Sequence, residues 1–180
     1  NAEAKALGLL AGHAAGTDGW VGFASSAPWT FDPNNRAVAG DYDFIGTALH
    51  ELTEVMGRYG ISQNGCSTTV CDGPIDLFRY SAPGTLAQTK TTGTYFSIDA
   101  GATNINTFDG ATGDFSDWLG TTLDSFNASG TRGVLEPFSA GDAVLMDVIG
   151  YDLVRSPEPA TLALLGTGLV ALGLFRRRGD

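Results

Sequence analysis

The chain has 180 residues, 43% of them hydrophobic and 17% charged, too apolar for a disordered protein and too sparsely charged for a coiled coil. Ten Lys and Arg against twenty Asp and Glu leave a net charge of −10, which repels phosphate backbones and argues against nucleic acid as a partner. The length suits one domain of roughly 150 residues that can bury a core without staples.

Taken in chain order, residues 2–12 have helix-forming composition. Residues 18–25, DGWVGFAS, alternate Trp20 and Phe23 with small residues and predict a strand. A loop follows at 28–40, and Asp41 or Asp43 can cap a helix at 44–58 that ends near Gly60. Residues 61–94 read mostly as loop, with a strand at 75–80, and 94–98 read as another strand. The Gly-, Asn- and Asp-rich stretch 99–133 has Trp118 and Phe126 as its hydrophobic anchors, and Ser139 caps a final helix at 140–149. No internal repeat is present. The pattern is one α+β domain with long ordered loops.

Cys66 and Cys71, separated by four residues in QNGCSTTVCDGP, favour a small disulfide over a zinc knuckle, which needs two further ligands close by. The final 25 residues differ in kind. Ser156-Pro157-Glu158-Pro159 precedes sixteen uncharged residues, Ala160 to Phe175, and then Arg176-Arg177-Arg178. As a helix the apolar run spans roughly 24 Å, slightly short of a hydrocarbon core of about 30 Å. The arginines would stay cytoplasmic, leaving residues 1–155 outside. This order resembles the PEP-CTERM sorting signal. The resemblance implies export, transient anchoring of 156–180 in the inner membrane by a short transmembrane helix, processing by an exosortase-type enzyme, and a final place at the cell surface or outside it. Because an exported protein needs a signal peptide and none is visible at Asn1, the true N-terminus is expected to lie upstream.

The chemistry concentrates in ALHELTEVMGRYG. Ile45, Ala48, Leu49, Leu52, Val55 and Met56 recur at helical spacing, and at about 100° per residue His50 and Glu54 lie about 40° apart, nearly opposite that stripe. One turn apart, both can reach one ion, with Glu51 beside them. This is the arrangement of a zinc-binding HExxH helix with Glu54 in place of the second histidine. The competing reading is an exposed polar face on which Glu54 pairs with Arg58.

Matching pieces run in order along the body: NAEAKALGLL, DGWVGF, HELTEVMGR, DLFRYSAPG, YFSIDAGATNINTF, GDFSDW and LMDVIGYD. Together they resemble an exported metalloprotease family related to the metzincin zincins. The resemblance implies a zincin-like catalytic domain at 1–155, built from a small twisted sheet, an active-site helix and long loops. It implies a peptide or protein substrate and a zinc cofactor; the oxygen-rich donor set of this chain also tolerates harder ions such as manganese or calcium. It gives Glu51 the role of general base and His50 and Glu54 those of metal ligands. The family's third ligand is the His of a His-Trp or His-Phe pair; the corresponding pair here is Asp117-Trp118, which makes Asp117 the third ligand and Asp76 the fallback. Asp117 has a competing reading as one of a loop run, Asp109, Asp114 and Asp117, that caps a turn or holds calcium. Gly57 falls on the family's turn glycine, Gly60 stands where an extended metzincin helix carries a ligand, and no methionine occupies the floor position at 124–126. Met146 is then core packing and His13 a surface residue. The alternative to an enzyme is a non-catalytic exported or matrix-associated protein of the same fold with a relic or calcium-type site.

Overall fold

A computed structural model describes residues 2–60, 73–87, 92–110 and 114–153. The expected cysteine pair and the C-terminal helix lie outside these residues. The elements run α1 (Ala2–Ala6), β1 (Trp29–Thr30), β2 (Tyr42–Asp43), α2 (Phe44–Met56), a 3-10 helix (Pro74–Phe78), β3 (Arg79–Ala82), β4 (Thr85–Leu86), β5 (Tyr95–Phe96), β6 (Asn106–Thr107) and α3 (Ala140–Val148). β1 and β2 pair in parallel, and a four-stranded antiparallel sheet has the order β4-β3-β5-β6. The described body is thus α+β with small sheets. Among the described residues no helix is long and apolar enough to cross a membrane.

The core is aromatic. Trp118 packs against Phe108, Phe96 and Phe126 at centroid distances of 5.1, 5.9 and 6.4 Å, and Leu145 and Met146 of α3 join the cluster together with Ile149, the residue that caps α3. Met146 is a core residue, as its position in LMDVIGYD suggested. Backbone hydrogen bonds hold the irregular segment that carries Trp118: Trp118 N–H donates to Phe126 O (2.8 Å), Asp109 N–H to Asp117 O (2.7 Å), and Ser125 N–H to Pro137 O (2.9 Å). Backbone groups of a segment without strand periodicity are thereby paired.

Three expectations are corrected. The first helix stops at Ala6 and turns at Leu7–Gly8, where Gly8 takes φ 71°. Residues 18–25 form no strand. Trp20 is 88% exposed, while Phe23 leaves the alternation to pack on Phe44 (5.0 Å) and Trp29 (6.4 Å). The strand expected at 75–80 is a 3-10 helix opened by Pro74, and extended pairing begins only at Arg79.

α2 forms where expected. Asp43 caps it, accepting from Gly46 N–H at 3.2 Å while also gripping Arg36 through both oxygens. Gly57, at φ 121°, ends it in a conformation that few other residues tolerate. Its apolar stripe is only partly covered, however, with Met56 packed on the core and Val55 close to Gly19. Leu52 is 46% exposed, and the helix residues buried outright are Gly46 and Thr53, on the side that carries His50. The residue 136 backbone crosses so close to Gly46 that a Cβ there would lie 2.7 Å from Glu136 O. The polar face of α2 therefore docks against the 114–138 segment.

Candidate metal centre

α2 delivers His50 and Glu54 to one point, and the Trp118-anchored segment brings Asp117 to meet them. His50 Nε2 lies 3.3 Å from Glu54 Oε1 and 3.5 Å from Asp117 Oδ1. One ligand atom from each of the three falls within 4.8 Å of the others, the single such group of three among the described residues. Asp76 does not join it. Asp76 is buried with Arg79, whose Nε donates to its Oδ1 at 2.9 Å, and it accepts from Gly73 N–H at 3.0 Å. His13 is exposed and apart from the site.

The imidazole is oriented from behind. His50 Nδ1 sits 2.9 Å from Ser125 O, and a carbonyl can only accept, so Nδ1 carries the hydrogen. Nε2 then faces two carboxylate oxygens. A bare lone pair there would be repelled by both, so the position calls for a proton or a metal cation. By this test the residues fit a divalent metal: one imidazole nitrogen and two carboxylates converge, with the remote ring nitrogen fixed by a carbonyl. Burial works against the imidazolium, yet its hydrogen bond to Glu54 and the charges of Glu54 and Asp117 prevail over burial and Arg58 and raise the His50 pKa. Burial also opposes ionisation of Glu54, but His50 and Arg58 outweigh it and the pKa falls. For Asp117 burial wins over Arg58 and His50, and the carboxyl is pushed up to about 6.

Arg58 is the residue whose place the sequence misrepresents. It is not on an exposed face but fully buried, with its guanidinium 4.3 Å from the Phe126 ring centre. Nη1 donates to Asp117 Oδ1 at 2.7 Å, Nε to Thr53 Oγ1 at 3.1 Å, and Nη2 lies 3.5 Å from Glu54 Oε1. A permanent cation thus backs both candidate acidic ligands. The reading of Asp109, Asp114 and Asp117 as a separate ion loop fails for Asp117, whose carboxylate belongs to His50 and Arg58.

Glu51 and His50 line a cleft of about 130 Å3, with Thr47, Ser125, Asn127 and Glu136 among its other walls; Glu54 and Asp117 are not among the residues that line it. Sequence reasoning did not find Glu136, since nothing in VLEPF marks it. Nor did it find Asp142 of α3, which accepts from Trp118 Nε1 (2.8 Å) and Ser125 Oγ (3.1 Å) and so braces the neighbours of Asp117 and His50. The S-x-x-D capping box at Ser139 and Asp142 was a usable signal for it.

Among known families, the PEP-CTERM protein-sorting motif matches residues 157–178. That signal marks an exported protein recognised by an exosortase-type processing enzyme. No curated protein and no solved structure matches the chain.

Proposed function

We propose that the protein is an exported metal-dependent peptidase, with His50, Glu54 and Asp117 as metal ligands and Glu51 as general base. The observation that carries this reading is the imidazole nitrogen of His50 facing the carboxylates of Glu54 and Asp117, with Glu51 the next residue of α2 and a cleft that His50 and Glu51 both line. A divalent metal held there would supply Lewis acidity, making water a stronger acid and a carbonyl a better electrophile. Glu51, one residue along α2 from His50, would take the proton from the attacking water and pass it to the departing amine. Ser125 O holds the ring tautomer, and Arg58 lowers the cost of gathering two carboxylates in a buried place. The two carboxylates admit manganese as well as zinc. The tail at 157–178 would anchor the body in the inner membrane until processing releases it to the cell surface or beyond.

Arg58 also favours a second reading. Its guanidinium already neutralises Asp117 from 2.7 Å, so the cluster is electrostatically satisfied in part without a metal. In that case the protein is a non-catalytic exported protein.

The test is metal content and peptide hydrolysis by the purified chain, beside Glu51→Gln. The peptidase reading expects about one equivalent of zinc or manganese in both proteins and hydrolysis reduced roughly 10²–10⁴-fold in the variant. No metal retention at micromolar concentrations, or equal hydrolysis by the two proteins, rejects it.

A further inference from the structure

Beside the His50–Glu51 cleft lies a larger cavity of about 310 Å3, near the lower end of the range of about 300–1,000 Å3 typical of ligand pockets. Asn127, Ser129 and Glu136 belong to the walls of both, so the two spaces adjoin. The larger one is lined by Asp124 and Glu136 and, among the described residues, by no Lys, Arg or His.

Two of its polar residues, Glu136 and Asn127, carry acceptors short of a donor. Glu136 is only 7% exposed, and the hydrogen bond found at its carboxylate comes from Thr131 N–H to Oε1, at 3.1 Å. The nearby Arg36 is committed to Asp43 and to the backbone carbonyl of Glu136, leaving the carboxylate outside its grip. Asn127 donates through Nδ2 to Thr122 O at 2.6 Å, which leaves its buried Oδ1 without a hydrogen bond. A buried acceptor in that condition costs free energy until a donor arrives, and a buried carboxylate calls for a cation.

We propose that this cavity receives the side chain of a lysine or arginine in a peptide lying along the cleft, with Glu136 as counter-ion and Asn127 Oδ1 as a further acceptor. The proposal rests on the peptide-binding part of the reading above and does not require hydrolysis. The walls suit such a side chain: Leu119, Leu123 and Val134 flank a long alkyl stem, and Glu136 meets its head.

The test uses the full chain carrying Glu51→Gln, so that binding is read without turnover. Fluorescein-labelled peptides identical except for one central residue (lysine, norleucine or glutamate) are titrated by anisotropy at physiological salt. The lysine peptide is expected to bind at least tenfold tighter than the norleucine peptide, and the glutamate peptide weakest. Adding Glu136→Gln, which can still accept from Thr131, should shrink the lysine advantage to within twofold while norleucine affinity holds. Val134→Lys, which supplies a tethered ammonium to the cavity, should do the same. Equal affinity for lysine and norleucine, or a lysine preference that survives both variants, overturns the proposal. Hydrolysis by the wild-type chain with no basic preference would remove this subsite alone, whereas selective lysine binding without hydrolysis would support it and remove the peptidase reading.

Discussion

Arg58 Nη1 lies 2.7 Å from Asp117 Oδ1, and neither side chain is more than 4% exposed. The pair joins the end of α2 to the segment carrying the third candidate ligand, so its loss damages both the fold and the site. Removing one partner of a buried pair strands the other charge, at a cost of about 3–5 kcal/mol. Arg58→Met should therefore destabilise by that amount in urea unfolding. Arg58→Met with Asp117→Asn should recover more than half of it, because the stranded carboxylate is gone. The same double variant should bind no zinc. A double variant less stable than the single one would show that the pair is not the origin of the loss.

The buried acids set an unusual pH dependence for the metal-free protein. Burial lifts Asp117 to about 6 and Asp142 to about 7, so both hold protons more tightly folded than unfolded. Their contribution is complete below the ordinary carboxylate range and disappears as pH rises through those values. His50, also raised, adds stability below its ordinary value that is lost at higher pH. Asp43 and Glu54 are lowered and act oppositely, but only in acid well below pH 5. The metal-free Tm should thus fall between pH 5 and pH 8, by about 5–10 °C for roughly 2–3 kcal/mol. Zinc should reverse the trend, because its ligands bind deprotonated and binding adds about 2.7 kcal/mol at 100 times Kd. Calorimetry of chelator-treated and zinc-loaded protein across this range measures both slopes.

Asp142 supports the site from behind. Its Oδ1 accepts from Trp118 Nε1, and its Oδ2 accepts from Ser125 Oγ and from Ser139 N–H at 2.9 Å. Ser125 in turn presents the carbonyl that fixes His50. Asp142→Ala should cost about 3 kcal/mol and weaken zinc binding roughly 10–100-fold, as loss of an outer-shell support does. Ser139→Ala, which removes only the helix cap, should cost about 1 kcal/mol and leave zinc affinity alone. Competition with a chromophoric chelator separates the two. Equal effects of both variants on affinity would assign Asp142 to helix stability only.

α2 and its ligand pair were legible because a 3.6-residue repeat, an Asp cap and a terminal glycine all act within a few turns of chain. Asp117 was reachable only through the resemblance of GDFSDW, since nothing local aims a loop aspartate at a helix 60-odd positions earlier. What the residues concealed was that the body would cover the polar side of α2 as well. Counting apolar positions selects the stripe through Leu52, but Arg58 finds partners in Thr53, Asp117 and Ser116 O, and His50 in Ser125 O, and these satisfied polar contacts hold the other face. The alternation at Trp20 and Phe23 misled for a similar reason: among the described residues no strand pairs with this segment, and Phe23 instead joins the rings at the start of α2.

Gly60 shows why a further ligand cannot simply be added after α2 by one substitution. A Cβ at Gly60 would lie 2.6 Å from Asp76 Oδ1, the atom that accepts from Arg79 Nε, and the Gly60 N–H donates to Ser116 Oγ at 2.6 Å. Any side chain there must displace a buried carboxylate from its arginine or pull the residue away from Ser116, whose carbonyl also accepts from Arg58. Gly60→Ala should accordingly destabilise by about 2–4 kcal/mol, the sum of overpacking and a disturbed buried pair. Gly60→His should be less stable still and should bind zinc no more tightly than the wild type, despite adding an imidazole at the place where extended metzincin helices carry a ligand. Thermal melting with zinc titration decides the matter. A Gly60→His protein that melts with the wild type and gains zinc affinity would mean that Asp76 can yield, and that the site is set by the helix motif alone.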